Sequence, residues 1–202
     1  MDGTLIDSKK DITISVNYIR EKHYSLEPLS EEFIVEAINM EVRNLPKLFY
    51  ETEIYHERDR KTFEEHYAFQ CIQNPYLYDG IKQMLHALRE SEIKLSVATN
   101  APTQFANRML NHLEVDNYFD IIIGADKVNA SKPSPEMLHK ILDFYKFNKL
   151  QDKAWMIGDN SKDILSAKNA EIQSAFATWG FSPNSDHDSV IYHPKEVLDI
   201  VL

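Results

Sequence analysis

Apolar and polar positions divide the chain into two textures. From Lys9 to about Asn74 the apolar residues recur at helical spacing: Ile12, Val16 and Ile19, then Phe33, Ile34, Ala37 and Ile38, then Leu45, Leu48 and Phe49 around Pro46. Pro28, Leu29 and Ser30 break the pattern. Ser30 followed by Glu31 and Glu32 predicts a capped helix start with acidic residues in the first turn. The charged, aromatic stretch from Glu51 to Gln70 shows no strand alternation. This half predicts a small helical bundle.

From Tyr78 the texture changes. An amphipathic helix is predicted over 80–88. Short apolar runs then alternate with helical segments: strands at 94–98, 120–123, 154–157, 174–178 and, weakly, 190–192, and helices at 104–113, 135–145 and 161–170. Such alternation marks βαβ units and a parallel sheet, and runs apolar throughout suit strands covered on both faces. The expected fold class is α/β, a Rossmann-like parallel sheet core with a small inserted α-helical domain. The expected division is 1–8 with 79–202 for the core and 9–78 for the insert.

Composition narrows the function classes. The 202 residues carry 22 Lys and Arg against 32 Asp and Glu, a net charge of −10, which argues against nucleic acid or an anionic membrane as a partner. One cysteine, Cys71, excludes an internal disulfide and a Cys-rich zinc site; it is expected to be a buried, small apolar residue. No apolar run approaches the roughly 18 residues that span a bilayer, and Asp2 and Asp7 stand where a signal peptide needs a basic start. A cytoplasmic location is expected. With only five glycines, each is a candidate for a backbone task.

Ligands of open α/β sheets bind beyond the carboxyl ends of the strands. There the sequence places Thr99-Asn100, Gly124-Ala125-Asp126 followed by Ser131-Lys132-Pro133-Ser134-Pro135, and Gly158-Asp159-Asn160-Ser161-Lys162-Asp163; the opening turn adds Asp2-Gly3-Thr4. Taken singly, each has an ordinary explanation. Thr99-Asn100 would cap a helix, Lys132 would be a solvated lysine, Asp159 and Asp163 would be surface carboxylates, and Asp7-Ser8 would cap the first helix. Ser134-Pro135-Glu136 reads as a helix start. Taken together, the set supports phosphoryl transfer. Lys132 and the Thr99 hydroxyl neutralise and bind a phosphate, and Asp159 holds Mg²⁺, which prefers one or two carboxylates plus water and phosphate oxygens. Asp2 is suited to protonate a leaving alcohol and then deprotonate water.

These segments resemble the haloacid dehalogenase superfamily. Met1-Asp2-Gly3-Thr4-Leu5-Ile6-Asp7-Ser8 resembles the end of the first motif, D-x-D-G-T-L-x-D-S. Val97-Ala98-Thr99-Asn100 resembles the second, Lys132-Pro133-Ser134-Pro135 the third, and Gly158-Asp159-Asn160-Ser161-Lys162-Asp163 the fourth. The resemblance covers nearly the whole chain and is greatest to phosphoglycolate-phosphatase-like members. It implies that the helical insert is the family's cap. It implies Asp2 as general acid/base with its carbonyl on Mg²⁺, and Thr99 and Lys132 on the phosphoryl group, with Asn100 assisting through its backbone. Asp159 would ligate Mg²⁺, and Asp163 would assist directly or through its neighbours. An acid at position 2 implies a phosphatase rather than a dehalogenase. Thr4 leans the same way against a sugar phosphomutase, which remains the alternative enzyme. The family's nucleophile, the first Asp of D-x-D, is expected immediately before Met1, on a strand upstream of the sequence; without it the alternative is a non-catalytic relative. The implied partner is a small phosphorylated metabolite. Specificity would lie in the cap, where Arg43 and Asn44 are the leading candidates beside Arg58 and Arg60. The pattern leaves the oligomeric state open.

Overall fold

A computed structural model describes residues 1–40, 43–182 and 189–202. Strands β1 (Ile6–Asp7) and β2 (Tyr76–Leu77) pair antiparallel. β3 (Ser96–Ala98) and β4 (Ile121–Ile123) pair in parallel, as do β5 (Trp155–Gly158), β6 (Gln173–Ala177) and β7 (Val190–Ile191) in that order. Helices α5 (Ile81–Glu90), α6 (Thr103–His112), α7 (Glu136–Phe144), α8 (Ser161–Asn169) and α9 (Glu196–Val201) fill the connections. Successive strand residues feed opposite layers. Val97, Ile122, Trp155 and Ile157 join one apolar cluster with Leu85, Phe105 and Met109, while Ala98, Ile121, Ile123 and Met156 join another with Met137, Leu138 and Ile141. That two-sided burial is why the strands read as uninterrupted apolar runs.

One helix start and two short strands differ from expectation beyond small shifts at element ends. α7 starts at Glu136 with Pro135 at its N-cap, one residue later than the Ser134 cap predicted; the Ser134 hydroxyl still accepts from Glu136 N at 3.3 Å. β1 and β2 fall at the predicted junctions between core and insert, where no strands were expected, because two residues cannot show a period.

The insert holds α1 (Lys9–Ile19), a π-helical turn (Arg20–Tyr24), α2 (Glu31–Asn39), α3 (Leu45–Tyr50) and α4 (Glu57–Gln70). It is a helical cap with its own apolar cluster of Val16, Ile19, Ile34, Ala37, Phe49 and Tyr50. Ser30 caps α2 as predicted, its side chain accepting from Phe33 N. α1 and α4 are joined by the Ser15 hydroxyl and His66 Nδ1 at 2.9 Å. The buried Arg20 guanidinium donates to Glu27 O at 2.8 Å and to Phe49 O, tying the π turn to α3.

Two carboxylates close the crossing between cap and core. Asp7 accepts from the Tyr76 hydroxyl at 2.8 Å. Asp11, fully buried, accepts from Gln70 Nε2 at 2.8 Å, Asn74 N at 3.0 Å and Asn74 Nδ2 at 2.7 Å. Each joins the chain entering the cap to the chain leaving it.

Candidate active site

The four sequence segments converge at the carboxyl ends of β3 and β5. Lys132 is the pivot. The residue is 6% exposed, and its ammonium donates to Asp163 Oδ1 at 2.5 Å and to Ala98 O at 2.7 Å. It is therefore not a solvated lysine. Its backbone is held by Asn100, whose Oδ1 accepts from Lys132 N and whose Nδ2 donates to Lys132 O, both at 3.0 Å. Asn100 thus works through its side chain, as a clamp on the loop that presents Lys132. Thr99 is 3% exposed and accepts from Ala101 N at 3.2 Å. Pro102 occupies the N-cap of α6, so Thr99 and Asn100 are not that helix's cap.

The carboxylates are buried as well. Asp159 is 3% exposed; its Oδ1 accepts from the Thr4 hydroxyl at 2.8 Å and its Oδ2 from Phe181 N at 2.9 Å. Asp163 sits in the first turn of α8, where its Oδ2 accepts from Asn160 N at 3.2 Å while Oδ1 holds Lys132. Asp2 Oδ1 accepts from the Ser8 hydroxyl at 2.6 Å. Ser8 stands at the N-cap of α1 but makes no capping hydrogen bond; its hydroxyl fixes Asp2 instead.

Glycines let these groups approach. Gly3 lies at φ +77°, and a Cβ there would come within 2.1 Å of Asp159 Oδ2, so both its conformation and its contact require glycine. At Gly180 a Cβ would lie 2.2 Å from Gly3 O and 2.3 Å from Asp159 Cβ. The segment after β6 was missed by sequence reasoning. Gly180 and Phe181 N pack on Asp159, and the Trp179 indole donates to Thr4 O at 2.9 Å. The available signal was a rare glycine just past the fourth predicted strand.

Electrostatics distinguish the two acids after β5. Burial pushes the Asp159 carboxyl up to about 6, and the neighbouring Asp163 adds to this; the Met1 amino group, Phe181 N–H and Thr4 hydroxyl offset part of it. Asp159 is thus short of positive charge, while Asp163 has Lys132. Among the described residues no group of three or more His, Cys, Asp or Glu side chains forms a metal cage. The donors here are oxygens, with few carboxylates, which fits a hard ion that keeps waters and phosphate oxygens in its shell.

Arg43 and Asn44 lie in the cap rather than in this set. Asn44 is the N-cap of α3, its Oδ1 accepting from Lys47 N at 3.2 Å and its Nδ2 donating to Glu53 O at 3.2 Å. Arg43 is partly buried near Tyr55, and burial lowers its guanidinium pKa.

Residues 1–177 match the family model of haloacid dehalogenase-like hydrolases. The chain is 31% identical over 185 residues to a phosphoglycolate phosphatase of Aquifex aeolicus, covering 90% of this chain and 83% of that one. It is 29% identical over 180 residues to the pyrophosphatase PpaX of Listeria innocua, covering 89% and 81%. The solved structure of a haloacid dehalogenase-like family hydrolase from Streptococcus pneumoniae superposes with a TM-score of 0.80 at 24% identity, covering 99% of this chain and 94% of that one.

Proposed function

The chain belongs to the haloacid dehalogenase-like hydrolases, and from that premise we propose that it is a Mg²⁺-dependent phosphatase. Its substrate is a small metabolite phosphate, hydrolysed through an aspartyl-phosphate. The observation that carries this reading is the buried Lys132–Asp163 pair beside an Asp159 whose carboxyl is pushed up to about 6. One basic group is balanced, and one acid awaits a cation.

In this reading Lys132 and Thr99 bind the phosphoryl oxygens, and Asn100 keeps Lys132 in place. Asp159 and the Asp2 carbonyl would hold Mg²⁺. Asp163 acts from behind, since both its oxygens are engaged by Lys132 and Asn160. When bound, the metal supplies charge that offsets the phosphate dianion. The nucleophile this reading requires is an aspartate carboxylate that reaches phosphorus within this ring. Attack on phosphorus forms the carboxyl–phosphate bond while the ester oxygen leaves with the Asp2 proton. Water then attacks phosphorus, Asp2 takes its proton, and phosphate departs. Ser8 keeps Asp2 aimed through both half-reactions.

The cap, read as residues 9–78, selects the substrate and excludes water. The named relatives act on phosphoglycolate and pyrophosphate, each a phosphate with a second anionic group. Arg43 is the cation proposed to read that group. It follows Asn39, which touches Asn160 of the core, by four residues, a reach of at most ~14 Å. Asn44 fixes the start of α3 beside it.

Phosphate release from phosphoglycolate, pyrophosphate and small phosphate esters, with Mg²⁺ or with a chelator, tests the reading. Turnover should require Mg²⁺, and Asp2→Asn should lower kcat by roughly 10²–10⁴ without altering the unfolding midpoint by more than a degree or two. A fully active Asp2→Asn enzyme would refute the assignment.

A further inference from the structure

Beyond the catalytic ring, one small set of polar contacts joins cap to core. Asn39 closes α2, and its Oδ1 accepts from Asn160 Nδ2 at 2.9 Å. Asn160 Nδ2 also donates to the Ser182 hydroxyl at 3.1 Å. Lys162 Nζ donates to Ile38 O at 3.2 Å, next to Asn39. On its other side Asn160 is the N-cap of α8. Its Oδ1 accepts from Lys162 N at 3.0 Å and its backbone N donates to Asp163 Oδ2 at 3.2 Å. Asp163 in turn holds Lys132. A single residue therefore touches the cap, the segment after β6, and the acid that orients the phosphate-binding lysine.

A primary amide offers two hydrogens and one carbonyl, and at Asn160 all three are engaged across these elements. A helix cap alone does not explain that choice. Ser or Asp accepts from the helix backbone as well as Asn does, but neither supplies two donors facing away from the helix. The amide plane is rigid, so when the cap pulls Asn39 away the amide hydrogen passes to solvent or the amide rotates off Lys162 N. The bond is partly exposed and neutral, so it forms and breaks at modest cost, as a closing contact must.

We infer that Asn160 is a positioning residue: the joint through which the seat of the cap, reported by Asn39, is transmitted to the Asp163–Lys132 pair. Its kinetic consequence rests on the phosphatase reading above, whereas the coupling between Asn39 and Asn160 does not.

The test is a set of four variants, Asn39→Ala, Asn39→Asp, Asn160→Ser and the double Asn39→Ala/Asn160→Ser, measured by Mg²⁺-supported phosphate release and by urea unfolding. Asn39→Ala should lower kcat/KM roughly fivefold. Asn39→Asp should recover most of that loss. It restores the acceptor for Asn160 but not the donor that Asn39 Nδ2 offers to Val35 O, so recovery separates the joint from a fraying helix end. Asn160→Ser keeps the N-cap and should fall by a similar factor, and the double variant should fall no further than the worse single variant. Wild-type kcat/KM in Asn39→Ala, no recovery in Asn39→Asp, or multiplied losses in the double variant would each overturn the inference. If the wild type releases phosphate from no ester, the phosphatase reading falls. The unfolding data then decide alone: coupled losses at 39 and 160 uphold the joint, and additive losses refute it.

Discussion

Two buried aspartates, one in the core and one in the cap, have opposite electrostatic fates. Asp159 is 3% exposed and Asp59 1%, so burial opposes ionisation at both. At Asp159 burial prevails, Asp163 adds to it, and the carboxyl rises to about 6. At Asp59 burial is outweighed. The Tyr24 hydroxyl and His23 Nδ1, the latter at 2.6 Å, bind the carboxylate, Arg58 stands 3.5 Å away, and the pKa falls below its ordinary value. The cap acid is satisfied by its own domain and ties the π turn to α4. Around the core acid stand the Phe181 N–H, the Thr4 hydroxyl, the Met1 amino group and a second acid, and together they do not offset its burial. Burial alone thus does not mark a functional carboxylate; an unmet demand for charge does.

The largest expected effect sets the two acids against each other by pH, without metal. Asp159 has a raised folded-state pKa, so its contribution is fully present below the ordinary value near 3.8 and is lost as pH rises through about 6. Relative to Asp159→Asn, the wild type should lose on the order of 3 kcal/mol between pH 4 and pH 7. Asp59 has a lowered folded-state pKa, so its contribution is present above that ordinary range and is lost as pH falls below it. Asp59→Asn should therefore destabilise the protein at pH 7 and converge on the wild type in acid. Urea unfolding across this range reads both, and parallel pH profiles for the two variants would break the comparison.

A smaller effect sharpens the cap side. The Arg58 side chain is 60% exposed where it faces Asp59, so Arg58→Ala should leave thermal unfolding nearly unchanged. A larger loss would mean that Arg58, rather than His23 and Tyr24, holds Asp59.

Much of the core was legible because chemistry and pattern coincided there. Val97 and Ala98, or Trp155 and Met156, feed opposite layers, which produces the apolar runs; Thr99 and Asp159 stand just past strands, Lys132 in the segment between β4 and α7, and Asp163 in the first turn of α8. What stayed hidden has no side-chain signature or has a misleading one. Ser8 looks like a helix cap and instead holds Asp2. Phe181 serves Asp159 through its backbone N–H. Asn160 is an ordinary capping residue until Asn39, 121 positions away, is placed against it. The core helix ends were legible to within two residues although no glycine marks them. α5, α6, α7 and α8 each close through a left-handed residue, but the positions carry Glu92, Glu114, Lys146 and Glu171 rather than glycine. The following N–H groups of Ile93, Val115, Phe147 and Ile172 still return to Leu88, Leu110, Leu142 and Ala167. The hydrogen-bond geometry of a glycine-terminated helix is kept, while the residue that would announce it is absent.

In the proposed function Asp159 is the principal side-chain ligand of a divalent cation, so removing its charge should remove the cation. Calorimetric titration of Mg²⁺ into the wild type and Asp159→Asn, with inorganic phosphate present and in two buffers of different ionisation enthalpy at pH 6, tests it most directly. The wild type should bind Mg²⁺ saturably with release of a fraction of a proton, and Asp159→Asn should show a large loss of affinity. Equal Mg²⁺ affinity in both proteins would contradict it.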